Sequence, residues 1–167
     1  MRRGGAVSGR VWGGSSCGGS RLTTSWNNGN TSGYVDTSLT NCGAAPCAGQ
    51  DGQAHTATLA AEDSDSGTAG VQPHQAAVYC DGLNIHGHTD WYLPSLPELD
   101  VIVRANNPDL TNGTGDDNTL GDFAMTTNYW SSSEIGSYNA WLERPSDGNQ
   151  NTSYNKNFGF AVRCARR

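Results

Sequence analysis

The chain has 167 residues, a length that suits one domain, and it carries a net charge of −6 with only 16% charged residues. Its hydrophobic fraction is 35% and it holds 22 glycines, which argues for a compact core under long irregular loops and against a helical bundle. The acidic balance disfavours a nucleic-acid or other polyanionic partner, which needs a basic surface, and no apolar run approaches the roughly 18 residues that span a bilayer.

Met1-Arg2-Arg3-Gly4 begins like the charged part of a signal peptide, but no apolar segment follows. The chain as given is therefore expected to be cytoplasmic until released, or a piece of a longer polypeptide. Residues 1–70 are rich in Gly, Ser, Thr and Asn and read as irregular structure with short strands, packed on the same domain as 71–167. Trp12, Trp26, Tyr34, Val35 and Leu39 are scattered anchors in them, and the first ten residues are expected to be mobile. Cys42 and Cys47 bracket a turn-like Gly43-Ala44-Ala45-Pro46, which allows a disulfide without forcing it. Asp63-Ser64-Asp65-Ser66-Gly67 has the composition of a calcium loop but lacks EF-hand spacing and a closing Glu, so a solvated acidic turn is expected. Five cysteines leave at least one unpaired, and Cys17, in Gly-rich sequence, is the natural odd one. The spacings of Cys17, Cys42, Cys47, Cys80 and Cys164 lack the close ligand pairs of a zinc site. No metal or other cofactor is expected.

The middle of the chain is the most regular. Pro73 suits the first turn of a helix, and Ala76, Ala77, Cys80 and Leu83 then recur at helical spacing, with Gly82 or Gly87 to end it. His86-Gly87-His88-Thr89-Asp90 reads as a surface loop, although His86, His88 and Asp90 have the spacing of a possible metal-binding stretch. It leads into Trp91-Tyr92-Leu93, a short extended segment packed on the core. Ser95 with Glu98 three residues later is a capping box, and Leu96, Leu99, Ile102 and Val103 form the apolar stripe of the helix it starts. That helix should stop near Asn106-Asn107-Pro108. A loop rich in Asn, Gly, Thr and Asp covers 109–122.

From residue 125 the pattern is strand-like. Asp147-Gly148 marks a hairpin turn after Ala140-Trp141-Leu142. In the last run, Phe158, Phe160, Val162 and Cys164 should face inward, with Gly159, Ala161, Arg163 and Ala165 on the other side. Cys80 and Cys164, each on a buried face, can meet as a disulfide. Within this region Tyr129-Trp130-Ser131-Ser132-Ser133-Glu134 and Ala140-Trp141 look like a frame, with Trp91, Trp130 and Trp141 in the core. Between the frame pieces lie side chains suited to contact. Tyr gives rigid amphipathic area at low entropy cost, and Ser and Asn give adaptable hydrogen bonding. The expected binding face, within 126–160, is Ser137, Tyr138, Asn139, Leu142, Arg144, Asn149, Asn151, Ser153, Tyr154, Asn155, Asn157 and Phe158.

An ordered set of short motifs resembles the Lcl C-terminal-domain-like family of bacterial and phage proteins. The set is Tyr79-Cys80, Gly87-His88-Thr89-Asp90-Trp91-Tyr92-Leu93-Pro94-Ser95 with Glu98-Leu99, then Tyr129-Trp130-Ser131-Ser132-Ser133-Glu134, Ala140-Trp141 and Val162-Arg163-Cys164. The likeness covers about residues 70–167. It implies an α+β, C-type-lectin-like fold with two helices, a small twisted antiparallel sheet and long loops, and it implies a helix-to-last-strand disulfide between Cys80 and Cys164. Members of this family include adhesins and the variable proteins of diversity-generating retroelements, in which adenine-directed mutagenesis typically yields Asn, Ser, Tyr, Asp and Thr. The calcium-dependent sugar motifs of true C-type lectins are absent from this sequence.

The leading expectation is thus a non-enzymatic domain that binds a protein or glycan on a cell or virion surface. A fixed-specificity lectin-like domain or a structural module of a phage or cell-surface assembly is the alternative. A related fold supports formylglycine generation with paired reactive cysteines. Here Cys80 and Cys164 read as structural by periodicity, and Cys42 and Cys47 have no base nearby. No nucleophile elbow, phosphate loop or metalloprotease motif is present.

Overall fold

The computed structural model describes residues 22–108, 110 and 123–167. Trp12, Cys17, the first ten residues and all of the expected 109–122 loop but Leu110 lie outside them. Among the described residues the architecture is α+β, with three helices and a five-stranded mixed sheet. In chain order the elements are β1 (Thr23–Thr24), α1 (Gly52–Ala61), α2 (Gln75–Asp81), α3 (Leu96–Asn106), β2 (Tyr129–Glu134), β3 (Ala140–Arg144), β4 (Asn149–Asn151) and β5 (Phe160–Ala161).

Helix α1 corrects the expectation of irregular structure and short strands before residue 71. Its N-cap, Asp51, accepts from the amides of Gln53 and Ala54 at 2.9 and 3.2 Å. Its buried positions are Gly52, His55, Thr56 and Leu59, a helical spacing with a single large apolar residue. Hydrophobic periodicity therefore has almost nothing to register there. Helix α2 buries Ala76, Ala77 and Cys80 and is capped by Gly82. It starts after His74, so Pro73 precedes the helix and is not part of its first turn.

Helix α3 has the expected capping box. The Glu98 carboxylate accepts from Ser95 N at 3.0 Å and Ser95 Oγ at 2.9 Å. The same carboxylate accepts from Gly52 N at 2.9 Å, Tyr92 Oη at 3.3 Å and Arg167 at 3.0 Å. A Cβ at position 52 would lie 2.4 Å from it and 2.5 Å from Ser95 N, so only glycine fits where α1 begins.

The sheet order is β1-β5-β2-β3-β4. Neighbours pair antiparallel except β2 and β5, which are parallel through Tyr129 and Ala161. The expected purely antiparallel sheet is thus mixed, because the chain leaves the outer strand β4 and returns on the far side of β2, running the same way. All six residues of β2 are buried, including three serines. Its register with β3 shifts between Trp130 and Glu134. Each hydroxyl is paired: Ser131 Oγ donates to Trp141 O at 2.9 Å, Ser132 Oγ meets His55 Nδ1 at 3.0 Å, and Ser133 Oγ accepts from Leu96 N at 2.9 Å.

The largest core cluster joins Trp26 and Leu59 to Trp91, Leu93, Trp130, Leu142 and the Cys80–Cys164 disulfide. Trp91, Trp130 and Trp141 are all buried, and their indole N–H groups donate to the carbonyls of His88, Thr24 and Cys42. Cys42 and Cys47 form the second disulfide. The last run departs from simple alternation. Phe158 is exposed and Phe160 half-buried, while Ala161, Arg163 and Ala165 are buried along with Val162 and Cys164. The segment is enclosed on both sides: Val162 and Cys164 belong to one core cluster, Ala161 and Ala165 to another.

Two acidic groups also depart from a solvated surface. Asp65 is covered and accepts from Asn28, Asn30, Thr68 and the amide of Gly67. These bonds, Thr68's first, hold its carboxyl well below the usual range. Glu143, on β3, is buried beside Asp100 of α3. Burial, reinforced by the neighbouring Asp100 carboxylate, pushes it up to about 9. It is therefore neutral at pH 7.

Candidate ligand-binding face

The face is carried by the turn before β3 and the loop between β4 and β5. Asn139 and Asn155 form an antiparallel bridge, and Lys156 N donates to Tyr138 O at 2.9 Å, so these two segments lie side by side. Asn139 Nδ2 donates to the carbonyls of Thr152 and Tyr154 at 2.9 and 3.0 Å and to Asn155 Oδ1 at 3.3 Å. Side-chain amides thus stand in for the missing strand ladder and shape an otherwise irregular loop.

On this support sits a strip of rings. Tyr138 is 60% exposed, Phe158 48% and Tyr154 37%. Tyr138 lies 5.2 Å from Tyr34, whose hydroxyl donates to Asn157 Oδ1 at 2.8 Å. Tyr154 packs edge-on to Phe158 at 5.6 Å and to Phe160 at 4.8 Å, and Phe160 in turn packs on Trp130 at 5.2 Å. Tyr138, Asn139, Tyr154, Asn155, Asn157 and Phe158 are thus linked through these contacts, with Ser137 and Ser153 beside them in the chain.

Of the other expected residues, Leu142 and Asn149 lie elsewhere, Asn151 borders the strip and accepts from Ser153 N at 3.4 Å, and Arg144 is near enough for its charge to interact with Tyr154. Leu142 is 0% exposed and belongs to the core beside Trp130, so it cannot be a contact residue. Arg144 and Asn149 sit at the β3–β4 turn, about 13 Å along the hairpin from Ala140. There Arg144 is paired with Asp147. Asn151 lies between the two ends and donates to Asn149 Oδ1 at 3.2 Å.

Beneath the strip is a group the sequence reading passed over. Lys156, the chain's single lysine, is 1% exposed. Its Nζ donates to Glu134 Oε2 at 2.9 Å and to Val35 O at 2.8 Å, and it lies 4.7 Å from the Trp26 ring. Its carbonyl accepts from the amide of Trp26 at 2.7 Å. Thr37 N also donates to Glu134, at 3.1 Å. Burial pushes Glu134 up to about 7 and pulls Lys156 down, and each holds the other in its charged form. His74, edge-on to Trp26 at 4.9 Å, is pulled down to about 4 by burial and by the Lys156 charge, and is neutral at pH 7. Tyr34 was the other omission. Its only sequence signal is an aromatic ring in a Gly/Ser/Asn-rich stretch, and its partner Asn157 is 123 positions away.

His86 and His88 are exposed on a tight turn closed by the Ile85–His88 bridge, with His86 and Gly87 both at positive φ. Among the described residues no group of three or more His, Cys, Asp or Glu side chains could hold a metal, and no helix is long and apolar enough to cross a membrane.

None of the curated proteins matches the chain. Among solved structures, a fimbrial protein from Bacteroides ovatus ATCC 8483 is similar at 21% identity over 48% of this chain, with a TM-score of 0.35. The chain spans 17% of that structure's length. The sequence profile of the Lcl C-terminal domain matches residues 11–166, nearly the whole chain, and the protein belongs to the Lcl C-terminal domain family.

Proposed function

We propose that this protein is a non-enzymatic, adhesin-like recognition domain of a cell or virion surface, with a C-type-lectin-like fold, that binds a protein or glycan through the strip around Tyr138, Tyr154 and Phe158. The observation that carries this reading is the exposure of three large rings on one strip whose supports are buried and hydrogen-bonded. Exposed aromatics cost solubility and are enriched where partners bind. Two disulfides support an oxidising, extracellular setting. All four cysteines among the described residues are in those disulfides, which weighs against a thiol-based enzyme.

The Asn, Ser and Tyr content of the strip also supports a role as the variable protein of a diversity-generating retroelement. The test of binding is a screen of glycan and cell-surface protein arrays with the native chain and the Tyr138→Ala/Tyr154→Ala variant. Binding lost in a variant that still folds is the expected result, and binding that the variant retains would refute the assignment of the face. Diversification is tested separately, by sequencing the locus. A near-identical repeat beside a reverse transcriptase, differing from codons of about 126–160 only at adenines, is expected. Its absence would leave a domain of fixed specificity.

A further inference from the structure

The chemistry of the strip narrows the ligand. Residues 135–139 and 151–160 contain one charged side chain, Lys156, and it is buried against Glu134. The strip is thus uncharged in a chain of net charge −6. Arg144, whose charge interacts with Tyr154, is paired with Asp147, which offsets that charge. A sulfated, sialylated or phosphorylated ligand would find no free cation on the strip, and long-range attraction from an acidic protein would be absent.

The apolar content of the strip is equally selective. Its exposed large apolar groups are aromatic rings, and the exposed aliphatic side chains Leu39, Val71, Val78 and Val101 lie in other segments. Ring faces carry negative quadrupole charge and attract the weakly positive C–H groups of a flat, otherwise hydroxylated ring. Beside the rings stand amides with spare donors. Asn157 spends its Oδ1 on Tyr34, and Asn155 spends its Oδ1 on Asn139. The amide nitrogens of both, and the hydroxyls of Tyr138 and Tyr154, have no hydrogen-bond partner among the described residues. Rings for C–H faces next to spare donors for hydroxyl oxygens are the complement of a pyranose.

We infer that the strip binds a neutral oligosaccharide, with one sugar ring stacked on Tyr154 or Phe158 and its hydroxyls held by Asn155, Asn157 and the tyrosine hydroxyls. This rests on the proposed binding role of the face and specifies its ligand. A protein partner is the competing occupant. Protein-binding surfaces are typically enriched in Arg and Met beside their aromatics, and the strip carries neither, which favours the sugar.

The test is titration of the native chain with a mannan, a galactan, a β-glucan and their short oligosaccharides, beside sialylated and sulfated glycans, followed by calorimetry or ligand-observed NMR. Saturable binding to a neutral glycan is expected, weakened about tenfold by Tyr154→Ala and restored only in part by Tyr154→Phe, which keeps the ring and loses the hydroxyl. Asn155→Ala serves as a second variant that leaves the rings in place, and it should weaken binding with only a small fall in melting temperature, because Asn139 keeps the carbonyls of Thr152 and Tyr154. Binding only to anionic glycans, or to none of the panel, would overturn the inference. Tyr154-dependent binding to an array protein alone would overturn the sugar and leave the face standing as a recognition surface. Glycan binding indifferent to Tyr138, Tyr154 and Asn155 substitutions would overturn both.

Discussion

Two sets of aromatic residues lie a few ångströms apart and behave oppositely. Trp26, Trp130 and Trp141 are buried, with every indole N–H donating to a main-chain carbonyl. Tyr138, Tyr154 and Phe158 are exposed, and neither tyrosine hydroxyl has a hydrogen-bond partner among the described residues. The connection between them is thin: Tyr154 to Phe160 to Trp130 on one side, and Lys156 over Trp26 on the other. The contrast teaches that the lower set is fixed by packing and paired polar atoms, while the upper set stands open to solvent. A ring whose polar atom is already paired has one place to be, whereas a ring with a free hydroxyl on an open strip can serve any partner that fits.

The comparison can be broken or sharpened by substitution, and the largest effect belongs to the frame. Replacing Cys80 and Cys164 with serine opens a cross-link between residues 84 apart. In the chain-entropy view this costs about 4–5 kcal/mol, read as a large fall in melting temperature. Next comes Lys156→Met, which leaves Glu134 buried without its counter-charge and should cost roughly 3–5 kcal/mol. Glu134 then prefers its proton, so the loss is greatest near pH 8 and shrinks as the pH falls and the carboxyl is protonated. Adding Glu134→Gln should recover much of it in a double-mutant cycle. If Lys156→Met melts like the native protein at pH 8, the buried pair is not what holds the strip.

A smaller effect of opposite sign is expected at Glu143. Its folded form holds a proton up to about pH 9, while the unfolded form releases it near 4.5. The unfolded state is therefore favoured progressively as the pH rises through that window, and stability is lost on going up. Glu143→Gln should remove the penalty and raise stability at pH 7 by about 1–3 kcal/mol. It should also flatten the stability profile between those two pH values, whereas a profile as steep as the native one would show that another group titrates. The smallest change belongs to the strip: Tyr138→Ala with Tyr154→Ala should cost about 0.5–1 kcal/mol together. A loss comparable to that of the frame would erase the distinction between the two sets.

Much of this division was legible beforehand, and the misses have physical causes. Helix α3 announces itself because its capping box and its stripe of Leu96, Leu99, Ile102 and Val103 are both local signals. Helix α1 does not, since it packs with a glycine, a histidine and a threonine whose partners, Glu98, Ser132 and Leu93, are 37 to 77 residues distant. The three rings of the strip stood out by type. Leu142 was misplaced because it lies between contact-like residues, and only the register with Trp130 shows that it faces the core. Lys156 left one trace, its being the chain's single lysine, and nothing local says that a lysine between two asparagines is buried.

The Glu98 carboxylate ties the beginnings of two helices to one group. Because Gly52 N and the Ser95 N-cap both terminate on it, α1 and α3 cannot start independently. Loss of that single side chain would remove a hold on both first turns at once, leaving α1 its Asp51 cap and Arg167 its ion pair with Asp51. With Glu98 in place, the two helices should open as one cooperative unit in hydrogen exchange, with matched protection at their first amides, although they are 34 residues apart from Ala61 to Ser95 in the sequence.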